Sequence, residues 1–157
     1  MTDAHSQNIL TIVFVKRAWW NPIAALIRWA VPVSRFKWAR SSHSMVLDGD
    51  HVIHATMLHG VVRQPVREVL KVNKLVQITG YHVPDASRGK AWLYEQIGKP
   101  YDFTGAFGLS LSPDRKWQEE DKWFCHELCA ATLSAAGMSV FVDTGHVTDS
   151  HLMMLKP

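Results

Sequence analysis

The sequence predicts one compact α+β domain that contains several short strands and an apolar helix with both cysteines. Several short runs rich in β-branched residues, separated by turn signals, predict the strands. The segment Asp48-Gly49-Asp50 predicts a tight hairpin between two of them. The length of 157 residues, with 47% hydrophobic and 20% charged residues, is typical of one globular domain over residues 1–157.

The first half of the chain supplies most of the predicted sheet. Residues 9–15 are apolar and largely β-branched, which predicts a buried strand. Asn21 followed by Pro22 predicts a helix start, and this helix is expected to end near residue 29 or 30, before Pro32. Three further strands are predicted, two in the hairpin and one after it: residues 43–47, 51–56 and 60–63.

The second half of the chain begins with a strand and a helix. Residues 74–83 predict the strand, and the pair Pro84-Asp85 opens a helix that is expected to end near residue 97, before a glycine. Residues 99–122 then form a longer connection rich in glycine and charge, with a helical turn expected after Asp102.

The helix that carries both cysteines is predicted over residues 123–136. Asp121 precedes it as a candidate N-cap, and Gly137 follows as a natural end. The two thiols lie four residues apart on this helix, which suits a disulfide poorly, so both are expected to be reduced. The second of them, Cys129, has apolar neighbours and is expected to belong to the core. One more strand is expected within residues 138–157.

Cys125 is predicted to lie at the start of this helix, where the backbone N–H groups and the helix dipole favour a thiolate. A thiolate is a nucleophile, and a histidine can serve as its base. If the hairpin turn has two residues, His43 and His54 become diagonal neighbours on one face, whereas a three-residue turn moves His54 to the other face. Cys125 is therefore the predicted nucleophile, His43 its base and His54 the residue that orients the base. The backbone N–H of Cys125 is a candidate oxyanion donor.

Four segments, in this order along the chain, resemble one enzyme family. They are Ser-Ser-His43-Ser, Val-Ile-His54-Ala, Gly98-Lys-Pro-Tyr101 and Trp123-Phe-Cys125-His-Glu. The pattern resembles the circularly permuted branch of the NlpC-type papain-like cysteine hydrolases, which includes lecithin:retinol acyltransferase-like enzymes. The chain departs from it at His126, where permuted members often have serine, and at His54, where the third polar residue is often a glutamate or another group.

The resemblance implies a permuted papain-like fold, with an antiparallel sheet packed against the nucleophile-bearing helix. It implies cleavage of an amide or peptide bond through a thioester, with Tyr101 near the active site as a substrate-binding residue or oxyanion support. The reaction requires no cofactor, and its substrates would be peptides, amides or lipid esters. Two alternatives stay open: an acyltransferase or lipid esterase that acts at a membrane surface, and a catalytically silent binding domain of the same fold.

A zinc site is the main chemical rival to this interpretation. Both cysteines and His126 could meet one of the hairpin histidines around a metal ion. Cysteines spaced Cys-x-x-x-Cys on one helix are, however, not a usual structural zinc pattern, so no metal ligands are predicted. The other histidines are expected to be solvated or locally bonded: His5, His51, His59, His82, His126, His146 and His151.

The segment from Arg17 to Arg40 interleaves tryptophans with basic residues. An ordinary core face at helical spacing is the favoured interpretation of this segment, and contact of Trp19, Trp20 and Arg28 with a membrane surface is the alternative. The formal net charge is +3 and its basic excess is local to residues 1–40, so nucleic-acid binding is not predicted. The polar N-terminus does not resemble a signal peptide and the longest apolar stretch is too short to span a bilayer, so a cytoplasmic location is expected.

Overall fold

The structure, a computed structural model, describes residues 8–17, 41–104, 121–139, 141, 144, 147 and 149–155. Five strands lie within these ranges: β1 (Ile9–Arg17), β2 (His43–Asp48), β3 (His51–Thr56), β4 (Gly60–Pro65) and β5 (Asn73–His82). The same ranges contain α1 (Val66–Val72), α2 (Ala86–Glu95), α3 (Cys125–Ala135) and α4 (Asp149–Met154). The helix predicted to start at Asn21 and Pro22 lies outside the described residues.

The five strands form one antiparallel sheet in the order β4-β3-β2-β1-β5. The hairpin between β2 and β3 turns over two residues, because Asp48 pairs directly with His51. Gly49, the first residue of the turn, has a φ of 62°, which glycine adopts without strain. The predicted hairpin and its two-residue turn are confirmed, and so is the α+β class with an antiparallel sheet.

Side chains alternate between the two faces of the sheet and pack into two apolar clusters. The larger cluster joins the sheet to α2 and α3, and its members include Phe14, Val46, Ile53, Leu93 and Leu128. The smaller cluster lies on the opposite face and joins the sheet to α1 through Val13, Met45, Val52 and Val69. The helix that carries the cysteines therefore packs against the sheet, as the resemblance implies.

Helix α3 begins two residues later than predicted and has a different N-cap. Phe124, with an extended backbone, occupies the N-cap position that was assigned to Asp121. Asp121 has a φ of 65°, and its carboxylate instead pairs with the ammonium group of Lys99 at 2.8 Å. Gly137 has a φ of 91° and ends the helix as predicted, with the next N–H donating to the Leu133 carbonyl.

Two helices differ from the sequence prediction. α1 was not indicated by the pattern, since it has only seven residues and three of them are valines, which favour strands. It follows Pro65 directly and buries Val69 against the sheet. α4 lies where a strand was expected; its Leu152 is buried in the larger cluster and accepts a hydrogen bond from the Tyr81 hydroxyl at 2.7 Å.

Candidate active site

The thiol of Cys125 lies on the first residue of α3, at the positive end of the helix dipole. The residue is buried, with 7% of its surface exposed. Phe124 at the N-cap has no side-chain acceptor, so it does not cap the N–H groups of the first turn. The helix start therefore favours a negative charge on the sulfur.

His43 and His54 are neighbours on the hairpin, as the two-residue turn requires. His43 is the first residue of β2, and His54 is buried in β3. The two rings meet edge to face with centroids 5.0 Å apart, and His43 Nε2 lies 2.7 Å from His54 Nδ1. The predicted diagonal contact between these histidines is confirmed.

A third side chain, Gln64, extends this contact. His54 pairs with Val62 across β3 and β4, so Gln64 is the diagonal neighbour of His54 on the same face. Gln64 Oε1 lies 3.0 Å from His54 Nε2. The predicted strand ends at residue 63 and does not include Gln64; alternation along the observed strand, which ends two residues later at Pro65, places Gln64 beside His54.

The directions of these hydrogen bonds follow from the amide oxygen of Gln64. Because an oxygen accepts, His54 Nε2 carries a proton and donates it to Gln64. Burial and the nearby charge of His43 lower the pKa of His54 to about 4, although the hydrogen bond to Gln64 raises it in part. His54 is therefore neutral near pH 7, and its Nδ1 accepts the Nε2–H of His43. This leaves Nδ1 of His43 to exchange a proton with Cys125.

Two histidines act on the Cys125 thiol. Burial by itself raises the pKa of Cys125, but the positive charges of His126 and His43, and hydrogen bonds with both rings, lower it well below its ordinary value. Cys125 is the first residue of α3 and His43 the first residue of β2, and the hydrogen bond between their side chains joins the starts of these two elements. The arrangement can hold a thiolate beside an imidazolium.

His126, which was expected to be solvated or locally bonded, lies instead at this site. Its ring is half-buried, and its Nδ1 lies 2.9 Å from the hydroxyl of Ser44, a fully buried residue of β2. The ring also meets that of Phe124 edge to face, with centroids 6.4 Å apart. Ser44 and His126 are 82 positions apart in the chain, so local sequence patterns could not pair them.

Tyr101 approaches Cys125 from the connection that precedes α3. It forms a parallel bridge with Trp123, and the N–H of Asp102 donates to the Trp123 carbonyl at 3.0 Å. Burial, the charge of Cys125 and the charge of Asp102 all raise the pKa of Tyr101. The hydroxyl therefore keeps its proton and can donate a hydrogen bond beside the thiol.

Gly60 fixes the path of the chain toward Tyr101. The N–H of Val61 donates to the Lys99 carbonyl at 2.9 Å, and the N–H of Gly98 donates to the Val61 carbonyl at 2.9 Å. Gly60 has a φ of 67°, and a Cβ at this position would lie 2.1 Å from the Lys99 oxygen. A side chain here would push the connection away from β4, so glycine is required.

Cys129, one turn further along α3, is fully buried in the larger apolar cluster. Burial raises the pKa of Cys129 to about 12, with a hydrogen bond to Ser44 opposing this and the charge of Cys125 adding to it. Both cysteines are free thiols. The predicted core position of Cys129 is confirmed.

The other sequence predictions concern metal ligands and a membrane contact. Within the described ranges, His, Cys, Asp and Glu side chains form no group of three or more that could hold a metal ion. Trp19, Trp20 and Arg28 lie outside the described residues. Among the helices of the described part of the chain, none is long and apolar enough to cross a membrane.

No protein-family model, no curated protein and no solved structure matches this chain. The resemblance to permuted papain-like hydrolases therefore stays a prediction.

Proposed function

We propose that the protein is a cysteine hydrolase that cleaves an amide or peptide bond through a thioester, with Cys125 as nucleophile, His43 as base and His54 as the orienting residue. One observation carries this proposal: an unbroken line of polar contacts runs from Gln64 through both histidines to a buried thiol at a helix start. Such a line fixes the tautomer of the base, which is the task of the third residue in a catalytic triad.

The chemical steps follow from the proton positions. Nδ1 of His43 takes the proton of the Cys125 thiol, and the sulfur keeps the electron pair and attacks the carbonyl carbon of the substrate. The π electrons move to the carbonyl oxygen; when they return, the bond to nitrogen breaks and His43 gives its proton to the leaving amine. Water then loses a proton to His43 and attacks the thioester, which releases the acid, and the sulfur recovers its proton from His43.

The negative oxygen that forms in each half of this reaction needs hydrogen-bond donors. The backbone N–H of Cys125 belongs to the first turn of α3, whose N–H groups have no partner within the helix. The hydroxyl of Tyr101 stays protonated because its pKa is raised. We assign these two groups as the donors to the tetrahedral intermediate.

The architecture supports a permuted papain-like fold. An antiparallel sheet carries the catalytic histidine on an early strand, and the helix with the nucleophile follows later in the chain and packs against that sheet. This is the order that the sequence resemblance implies. The same thioester serves acyl transfer when another nucleophile replaces water, so the site is compatible with hydrolase and acyltransferase chemistry alike.

Acylation by p-nitrophenyl acetate tests the proposal, because this ester reports on an activated thiol whatever the natural substrate is. We expect an initial burst of p-nitrophenol and acetate on Cys125, located by peptide mass spectrometry. The burst is expected to vanish in Cys125→Ala and to persist in Cys129→Ala, the matched control on the same helix.

Two outcomes of the acylation experiment would contradict the proposal. A burst that survives in a folded Cys125→Ala protein, or acetate found on lysines alone, contradicts the proposal. A catalytically silent binding domain then becomes the better account. Circular dichroism of each variant establishes that the protein compared is folded.

A further inference from the structure

His126 borders the Cys125 sulfur in addition to His43. It follows the nucleophile directly on α3, and its half-buried ring is held from two sides. Ser44 Oγ lies 2.9 Å from its Nδ1, and the Phe124 ring meets it edge to face. The fold therefore fixes the orientation of this ring, whereas a solvated histidine ring rotates freely.

Ser44 ties His126 to the strand that carries the base. It is fully buried, follows His43 along β2, and also hydrogen-bonds the thiol of Cys129. A hydroxyl can donate to a neutral ring nitrogen or accept from a protonated one. Ser44 can therefore pair with Nδ1 of His126 in either protonation state, which leaves Nε2 for the sulfur or a bound substrate.

The ionisable groups that interact with the Cys125 sulfur are His43 of β2, His126 and Cys129 of α3, and Tyr101 of the connection before α3. Glu127 lies two residues further along α3, and Asp102 lies beside Tyr101. Of these groups, only the two histidines can bring a positive charge to a thiolate. The carboxylates, the phenol and the second thiol are neutral or negative. Two positive partners for one sulfur exceed what a simple cysteine–histidine pair requires.

We propose that His126 is a second catalytic histidine: held by Ser44, it donates a hydrogen bond from Nε2 to the Cys125 sulfur and stabilises the thiolate, while His43 moves the proton. This inference rests on the proposed function and deepens it. Charge stabilisation and proton transfer, which one histidine performs in a simple pair, are here divided between two. Loss of His43 then stops turnover but leaves part of the thiolate, whereas loss of His126 weakens the thiolate and leaves the base.

Alkylation of Cys125 by iodoacetamide against pH separates these two tasks. The measurements use a Cys129→Ala background, so that every label reports on one thiol. We expect His126→Ala to slow labelling at about pH 6.5 roughly tenfold, the effect of losing one hydrogen bond to a charged group. His126→Gln keeps an N–H donor in the region of Nε2 and is expected to recover part of the loss. Ser44→Ala keeps the His126 ring but removes the hydroxyl that holds it, and is expected to slow labelling less, in the same direction.

The burst of p-nitrophenol from p-nitrophenyl acetate gives a second readout that a purely structural role would not move in this way. His43→Ala is expected to lose the steady-state release of p-nitrophenol at every pH, because no base activates water for hydrolysis of the acylated thiol, while the remaining thiolate still gives a slower burst. His126→Ala is expected to lose both the burst and the steady-state release near neutral pH and to recover both as the pH rises toward the ordinary thiol range, because the base is intact. Thermal unfolding of each variant shows whether it is folded.

The outcomes keep this inference apart from the proposed function. If His43→Ala slows labelling while His126→Ala and Ser44→Ala label like the background protein, the second histidine is overturned and the proposed function stands. If Cys125 of the background protein labels only in the ordinary range near about pH 8.5, both fail. If His126→Ala does not fold, unchanged labelling in His126→Gln and Ser44→Ala overturns the inference, and slower labelling in Ser44→Ala supports it.

Discussion

Cys125 and Cys129 lie one turn apart on α3, about 6 Å along the helix axis, and both are buried. Burial acts in the same direction on both thiols, because it favours the neutral form. Even so, the pKa of Cys125 is lowered well below its ordinary value and that of Cys129 is raised to about 12. The difference lies in the neighbours: Cys125 meets His43 and His126, whereas Cys129 meets an apolar cluster and one hydroxyl.

This comparison shows what converts a core cysteine into a candidate nucleophile. At Cys125 the helix start and two histidines, one of them on the β2–β3 hairpin, lower the thiol pKa although burial raises it. At Cys129, four residues later, these partners are replaced by apolar side chains, and burial keeps the thiol pKa raised. Cys129 is thus an internal control for Cys125. Removing His43 or His126 should raise the thiol pKa of Cys125 toward that of Cys129. Changing Cys129 should leave the pKa and reactivity of Cys125 unaffected.

The largest effect on this comparison is expected from His43→Ala. The variant removes the proposed base, and general-base catalysis contributes about 10²–10⁴ in rate, so acylation of Cys125 at neutral pH should fall about 100-fold or more. Rapid mixing with p-nitrophenyl acetate measures this rate. His59→Ala changes an exposed histidine and is the matched control, expected to react like the wild type. If His43→Ala were acylated at the wild-type rate, His43 would not be what makes Cys125 more reactive than Cys129.

Because His54 is held neutral in the folded protein, the free energy of unfolding should also depend on pH. Unfolded His54 takes up a proton below its ordinary pKa of 6.5, but folded His54 does so only below about 4. Protons therefore favour unfolding in this window: the stability is fully present above pH 6.5 and is lost as the pH falls toward 4, by about 3 kcal/mol.

Urea unfolding at neutral pH and near the lower end of this window measures that loss. His54→Gln removes the titrating group and should lose less stability over the same range, whatever its stability at neutral pH. An equal loss in His54→Gln and the wild type would mean that other groups cause the acid sensitivity and that His54 is not held neutral.

A smaller effect is expected from Cys129→Ala. Truncating this buried side chain should lower the free energy of unfolding by about 1–2 kcal/mol, as measured by urea unfolding. The alkylation profile of Cys125 against pH should stay close to that of the wild type, because Cys129 supplies no positive partner. If Cys129→Ala, although folded, lost acylation as completely as Cys125→Ala, the assignment of one reactive and one structural thiol would be wrong.

The smallest effect is expected from Gln64→Leu. This change leaves the Nε2–H of His54 without its acceptor, a loss of about 1 kcal/mol, so labelling of Cys125 near neutral pH should slow only severalfold. Gln77→Leu, on the far edge strand β5, removes a hydrogen bond to Thr79 and is the matched control. Labelling that is slowed equally by both variants would point to a general loss of stability.

The parts of this site that local sequence determines could be predicted. The two-residue turn fixes the register of the β2–β3 hairpin, and the register alone brings His43 and His54 together. The helix around Cys125 is signalled by its apolar run and by Gly137 at its end. These features depend on neighbours within a few positions, which a sequence displays directly.

The rest of the site depends on contacts between distant segments. The pairing of Ser44 with His126 arises only when α3 packs on β2, and no periodicity encodes that contact. Gln64 lies beyond the predicted end of β4, because the Pro65 that follows it is an unusual strand residue and does not signal continued pairing. The N-cap at Phe124 was missed because Asp121, a good capping residue by type, is engaged with Lys99 instead.

The most direct test of the central claim is the rate of iodoacetamide labelling of both thiols against pH, in the native protein and in the same protein unfolded in urea. Tandem mass spectrometry of the peptide that contains both cysteines assigns each label. We expect native Cys125 to react fast below about pH 7 and native Cys129 to be protected, and both to react alike in urea with a midpoint near about pH 8.5. If the two native thiols react at equal rates, or if native Cys125 follows the profile of the unfolded thiol, Cys125 is not activated and the account is contradicted.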